Sequence, residues 1–145
     1  MAGYRGARNA RCGVYRSGLE ERNANHVAKL GGVAEFEAYQ LKYIVPSREA
    51  TYNPDFVLGN GIIVETKGIF EVADRQKQLL IREQYPELDI RLVFSSSKSK
   101  IYSGSKTTYG MWCDKHGIIY ADKLIPASWL KEAVKPIPKG VLIKK

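Results

Sequence analysis

The stretch from Thr51 to Gly68, TYNPDFVLGNGIIVETKG, leaves the chain little freedom of fold. Phe56, Val57 and Leu58 run into the cluster Gly59, Asn60 and Gly61, and Ile62, Ile63 and Val64 run out of it. Two β-branched or apolar runs around a turn cluster predict a β-hairpin. If Gly59 to Gly61 is a three-residue loop, Leu58 faces Ile62 and Asp55 falls opposite Glu65. Side chains alternate faces with period two, so Asp55, Glu65 and Lys67 then share one side, and Phe56, Leu58, Ile62 and Val64 line the other, toward a core. A two-residue Asn60-Gly61 turn shifts the pairing by one and splits the carboxylates.

In the first register two carboxylates stand roughly 5 Å apart at Cβ, where like charges repel. A divalent cation reconciles them. Mg²⁺ takes oxygen ligands and is held by one or two carboxylates plus phosphate oxygens and waters, while a neighbouring lysine steadies an attacking hydroxide or the developing phosphate charge. The order Pro54-Asp55, nine residues, then Glu65-Thr66-Lys67 is the PD-(D/E)xK pattern of a nuclease superfamily. The plain counter-reading is a hairpin whose Glu65 and Lys67 merely solvate one face.

With 145 residues the chain has the length of a single domain with its own core. It lacks an apolar run that could span a bilayer or serve as an export signal, so a cytosolic location is expected. Cys12 and Cys113 lie far apart in sequence, without zinc-ligand spacing, and read as free thiols. The net charge of +8 is concentrated at the ends. Arg5, Arg8, Arg11 and Arg16 stand in the first sixteen residues without an acid, and residues 131 to 145 hold Lys131, Lys135, Lys139, Lys144 and Lys145 against Glu132 alone. The body between carries as many acids as bases. Two basic ends on a neutral globule predict a mobile arm, 1–16, and a tail, 131–145, that close on nucleic acid and release counterions.

Along the body, Ser17 and Glu20 fit a capping box opening a helix that stops at Gly31-Gly32. Glu20 on this reading holds a backbone amide, and His26 is a boundary residue. Phe36 to Val45 is expected as one strand, and Pro46 to Ala50 as a short polar link. A helix from about Val72 to Tyr85, closed by Pro86, leads to a buried strand, Ile90 to Phe94, parallel to the strand at Ile62. Ser95 to Ser99, with Lys98 and Lys100, forms a hydroxyl and ammonium loop suited to phosphate; Ser95, Ser96, Lys98, Lys100 and Lys106 join the arginines as candidate DNA contacts. A helix over Thr107 to His116, a short strand over Ile118 to Ala121 and a short helix at Trp129-Leu130 complete the body.

RSGLE at Arg16 to Glu20, NPDF at Asn53 to Phe56, NGIIVETKG at Asn60 to Gly68, LLIREQYPELDIRLVFSSS at Leu79 to Ser97, and KHG with ADKLIPA between Lys115 and Ala127 carry a resemblance. Through them the chain resembles the junction-resolving endonuclease I family of phages over nearly its whole length. The resemblance implies an α/β fold with a mixed central β-sheet flanked by helices, a restriction-endonuclease-like core, and an intertwined, segment-swapped homodimer. Residues 17–130 would form one nuclease domain, with 17–45 exchanged, 46–50 as bridge and 51–130 as main body. It implies that Glu20 is a metal ligand rather than only a cap. Asp55 would bridge two Mg²⁺ ions, Glu65 and the Thr66 carbonyl would complete one site, Glu20 the second, and Lys67 would orient the attacking water; Mn²⁺ should substitute. The implied function is resolution of four-way (Holliday) junctions and other branched DNA in the cytoplasm of an infected bacterium. A superfamily nuclease acting on mismatched or duplex DNA, and a non-catalytic basic DNA-binding module, are the competing readings.

Overall fold

The computed structural model describes residues 15–145. Helix α1, Gly18–Lys29, begins where the Ser17 hydroxyl accepts the Glu20 N–H, and ends where Gly31 takes a φ of +75° and the Gly32 N–H returns to the Val27 carbonyl. The capping box is only half closed. Glu20 Oε1 accepts the Arg16 N–H at 2.9 Å instead of the amide of Ser17.

The strand expected over Phe36 to Val45 is two strands in two sheets. Strand β1, Ala34–Phe36, pairs antiparallel with β4, Phe56–Leu58, whereas β2, Tyr39–Val45, leaves for a second sheet. Glu37, at a φ of +49°, makes the break, and its N–H is held by the Asp55 carbonyl. The expected link at Pro46 to Ala50 is also shorter than predicted. Pro46 and Ser47 alone make the turn, and β3, Arg48–Tyr52, pairs back on β2 with Tyr43 opposite Ala50 and Leu41 opposite Tyr52.

The hairpin of β4 and β5, Ile63–Lys67, adopts the three-residue loop: Phe56 lies opposite Val64, Val57 opposite Ile63, and the Leu58 N–H reaches the Ile62 carbonyl. That register places Asp55 across from Glu65. Gly61 sits at a φ of +90°, and a Cβ there would stand 2.2 Å from the Lys135 carbonyl oxygen, so the turn admits no side chain.

Helix α2, Val72–Gln84, carries the chain over to β6, Ile90–Phe94, which pairs parallel with β5. Helix α3, Tyr109–Lys115, then leads to β7, Tyr120–Asp122, parallel to β6, and α4, Ala127–Leu130, follows. The result is a mixed five-stranded sheet in the order β1-β4-β5-β6-β7, flanked by helices. Both of its faces are covered. Phe56, Leu58, Ile62, Val64 and Val93 pack with Val27 and Trp129 on one side; Val57, Ile63 and Ile90 pack with Ile81 of α2 and with Leu41, Tyr43 and Tyr52 of the second sheet on the other. Phe70, Leu92, Phe94, Tyr109 and Trp112 extend the core under α3. The Asp55–Glu65 face is therefore interior, where the alternation alone had left it uncovered.

The segment expected as a basic tail lies against this body. The Lys135 N–H bonds the Asn60 carbonyl at 2.7 Å, Ile137, Val141 and Leu142 pack on the second core, and β8, Ile143–Lys144, pairs with Tyr39 and Gln40 of β2. Among the described residues no helix is long and apolar enough to cross a membrane.

Candidate active site

The two chain segments that meet at the end of β5 bring Glu20, Asp55 and Glu65 together. Glu20 is on the first turn of α1, Asp55 immediately precedes β4, and Glu65 is central in β5. Their exposures are 7 %, 4 % and 9 %, so burial governs their electrostatics. It raises the carboxyl of each above the ordinary range; Asp55 adds like-charge repulsion on both Glu20 and Glu65, and Glu65 is pushed up to about 8. Asp55 is thus the carboxylate that couples to both others.

Each carboxylate has a partial anchor. Asp55 Oδ2 accepts the Thr66 N–H at 2.9 Å and the Thr66 hydroxyl at 2.8 Å, and Glu65 Oε1 accepts the Tyr52 hydroxyl at 3.0 Å. Arg16 spans the rim: its Nη2 lies 3.7 Å from Glu20 Oε2 and 4.0 Å from Asp55 Oδ1, while its Nη1 pairs with Glu37. Its side chain is 54 % exposed, so water screens what it offers the buried carboxylates. Lys67 is half-buried, and its ammonium bonds Asp74 Oδ1 at 3.0 Å. Burial pulls the Lys67 ammonium down, but the Asp74 hydrogen bond and the carboxylates outweigh it and hold it above its usual value.

Among the described residues no three His, Cys, Asp or Glu side chains close into a ready-made metal cage. An all-oxygen set of buried carboxylates with too little compensating charge nevertheless fits Mg²⁺, which completes its shell with waters and phosphate oxygens rather than with protein alone. Beside these groups opens a cleft of about 450 Å³, lined by Ser17, Gly18, Arg22, Thr66, Gly68 and Ser95. It runs on past Ser95 into a second hollow of about 300 Å³ with Arg22 and Lys123 at its edge.

Of the residues expected to contact DNA, Arg5, Arg8 and Arg11 lie outside the described residues, as does Cys12. Arg16 belongs to the carboxylate rim rather than to a free arm. Ser95 lines both hollows; Ser96, Lys98 and Lys106 are exposed but outside them, and the Lys100 ammonium is tied to the Ser105 carbonyl at 3.1 Å. His26 bonds the Ile125 carbonyl at the boundary of α1, as expected of a non-ligand. Cys113 is a buried free thiol whose pKa burial pushes up to about 12, which makes it inert. The sequence reading missed Tyr52 and Asp74, the partners of Glu65 and Lys67, and the cleft cations Arg22 and Lys123. Lys123 stood within the ADKLIPA stretch, but only the fold brings it near Ser95.

The whole chain, residues 1–145, matches the sequence profile of phage endonuclease I. The chain belongs to the phage endonuclease I family. It is 54 % identical over 146 residues to "Endonuclease I" of Escherichia phage T7, covering all of this chain and 97 % of that protein. With "Endodeoxyribonuclease 1" of Enterobacteria phage T3 it shares 51 % identity over 138 residues, 95 % of this chain and 91 % of the relative.

Proposed function

We propose that this protein is a structure-selective DNA endonuclease that resolves four-way junctions and other branched DNA by Mg²⁺-dependent hydrolysis of phosphodiester bonds. One observation carries the reading: in a chain of this family, the three carboxylates Glu20, Asp55 and Glu65 are buried together with a lysine alongside and a cleft opening beside them. Carboxylates this deeply buried are costly to ionise, and a cation that binds them would lower that cost. Two Mg²⁺ ions, with Mn²⁺ as a substitute, would neutralise them and supply Lewis-acid stabilisation of the attacking and leaving oxygens.

The protein's own groups have separable tasks. Asp55, fixed by two hydrogen bonds from Thr66, would hold the cations together with Glu65, the Thr66 carbonyl and Glu20. Lys67, which bonds Asp74 here, would on release from it donate to the attacking water and orient it. Ser95, Arg22 and Lys123 continue the track along the cleft for neighbouring phosphates, which positions the backbone without reading bases. Selection of branched DNA follows from shape and deformability.

The functional unit we propose is an intertwined homodimer. Within the described chain Glu20 meets Asp55 across the packing of α1 on the sheet. If the two-residue turn at Pro46-Ser47 opens, residues 17–45 pass to a second copy as a unit, and the same contact forms between chains. Two such sites related by a two-fold axis suit a junction cut symmetrically on two strands. The enzyme acts in the cytoplasm of the infected bacterium.

The test is cleavage of an immobile four-way junction against a linear duplex of the same sequence, in Mg²⁺, in Ca²⁺ and with chelator. Mg²⁺-dependent paired cuts near the branch, with the duplex spared, are expected. Equal cutting of both substrates reduces the protein to a general nuclease, and binding without cutting in any metal makes it a DNA-binding module.

A further inference from the structure

Glu65 is gripped from behind by groups to which the chemistry above gives no role. Tyr52, the last residue of β3, is completely shielded from solvent, and its hydroxyl donates to Glu65 Oε1 at 3.0 Å. A phenol has a single proton to give. The Gln78 side chain, 2 % exposed on the inner face of α2, lies close enough to the same hydroxyl to act on it electrostatically. With the amide N–H directed into the phenol oxygen, the phenol proton is left for Glu65. This orientation leaves Gln78 Oε1 buried without a partner, a costly arrangement that a residue present only for packing would not need. Lys77 Nζ stands 5.1 Å from the centre of the Tyr52 ring and caps the stack from outside.

A carboxylate with one oxygen tied to a rigid donor presents the other in a fixed direction, and such supporting bonds tune how tightly a ligand residue holds its cation. We propose that Tyr52, oriented by Gln78, is a positioning residue that fixes the Glu65 carboxylate so that its second oxygen faces the cation. This inference rests on the cation reading given under the proposed function. Tyr52, Glu65 and Gln78 all belong to the segment 51–130, so the arrangement is the same whether α1 comes from this chain or from a partner.

Tyr52→Phe keeps the ring that packs on Leu41, Ile63 and Ile81 and removes only the O–H. The experiment is calorimetric titration of Ca²⁺ into the full chain without DNA, for wild type, Tyr52→Phe, Gln78→Leu and Glu65→Gln, with melting temperatures measured alongside. Tyr52→Phe should weaken cation uptake about tenfold with a melting temperature close to that of wild type, and Gln78→Leu should act in the same direction but less. In Mg²⁺-dependent junction cleavage the half-saturating cation concentration should rise by a similar factor, while the rate at saturating Mg²⁺ changes less than about threefold.

A wild-type Ca²⁺ curve in Tyr52→Phe, with uptake lost in Glu65→Gln, overturns the positioning role and keeps the cation site. A uniform fall in rate at every Mg²⁺ concentration, with half-saturation unmoved, overturns it too. Should Tyr52→Phe fail to fold, the Gln78→Leu curve decides, and an unshifted curve there is the overturning result. Wild-type protein that takes up no divalent cation overturns the cation reading itself.

Discussion

At the start of β6 Arg91 is 3 % exposed, yet its guanidinium meets both oxygens of Asp89 and both of Glu132 at 2.7–2.8 Å, with Lys135 closing the cluster. In the middle of neighbouring β5, Glu65 is also buried but takes its hydrogen bond from a neutral phenol, with Asp55 opposite. The carboxyls respond in opposite senses. Hydrogen bonds from Arg91, then Lys135, hold Asp89 below its usual range and pull Glu132 down to about 2, whereas burial pushes Glu65 up to about 8. One cluster is balanced, two acids against two bases, and fastens the last segment of the chain beneath the β4–β5 turn. The other has an excess of acid. Burial alone therefore does not mark a site; burial without compensation does.

The widest gap between the two clusters should lie in catalysis. Glu65→Gln or Lys67→Ala is expected to slow junction cleavage by about a thousandfold or more, while binding in Ca²⁺ survives; single-turnover cleavage beside a gel-shift assay measures both. Retained cutting would remove these residues from the site. In stability the clusters should exchange rank. Arg91→Met breaks a paired network and leaves two acids facing Lys135 alone, a loss of about 3 kcal/mol, with the cleavage rate at permissive temperature unchanged. Glu65→Gln replaces a buried acid that is costly to ionise with a neutral isostere, so without metal it should be neutral or stabilising in a urea titration at pH 8 and above. Equal destabilisation by both would erase the distinction.

The sequence carried this contrast only in part. The hairpin was legible because Gly59-Asn60-Gly61 is flanked by apolar runs, while its register stayed open between a two- and a three-residue turn until the fold decided it; β6 was legible because its residues are apolar on both faces except Arg91. The break between β1 and β2 left a trace that was overlooked: Phe36 is out of phase with Tyr39, Leu41, Tyr43 and Val45, and the left-handed Glu37 absorbs the slip. Ala50 at the end of the link and Tyr52 just beyond it already alternate inward, but Pro46 outweighed them. The tail was read by its lysines, which concealed the few apolar residues, Ile137, Val141 and Leu142, that dock it. Of the site, Asp55, Glu65 and Lys67 were visible as a pattern. Their burial was not, because the cover comes from α2 and the second sheet, and neither was the difference between Glu65 and Glu132, which depends on partners distant in sequence.

The smallest expected effect is also the most direct reading of uncompensated charge. Burial, with Asp55 opposite, pushes Glu65 up to about 8 in the folded protein, against an ordinary value of 4.5. Between those values the native state binds more protons than the unfolded state, so stability declines as pH rises. Glu20 and Asp55, also raised, contribute in the same sense. Without divalent cation the melting temperature should therefore fall from about pH 5 to pH 8, a loss on the order of 2 kcal/mol, moderated by water entering the open cleft. Asp89 and Glu132 shift the other way and lose their contribution only in acid, below the ordinary carboxylate range. Thermal melts across this window, in chelator and in Ca²⁺, measure it. Glu65→Gln should flatten the slope, Ca²⁺ should flatten it in the wild type by stabilising the ionised carboxylates, and Arg91→Met should leave it in place. A slope unchanged in Glu65→Gln would assign the proton to another group and dissolve the contrast at its strongest point.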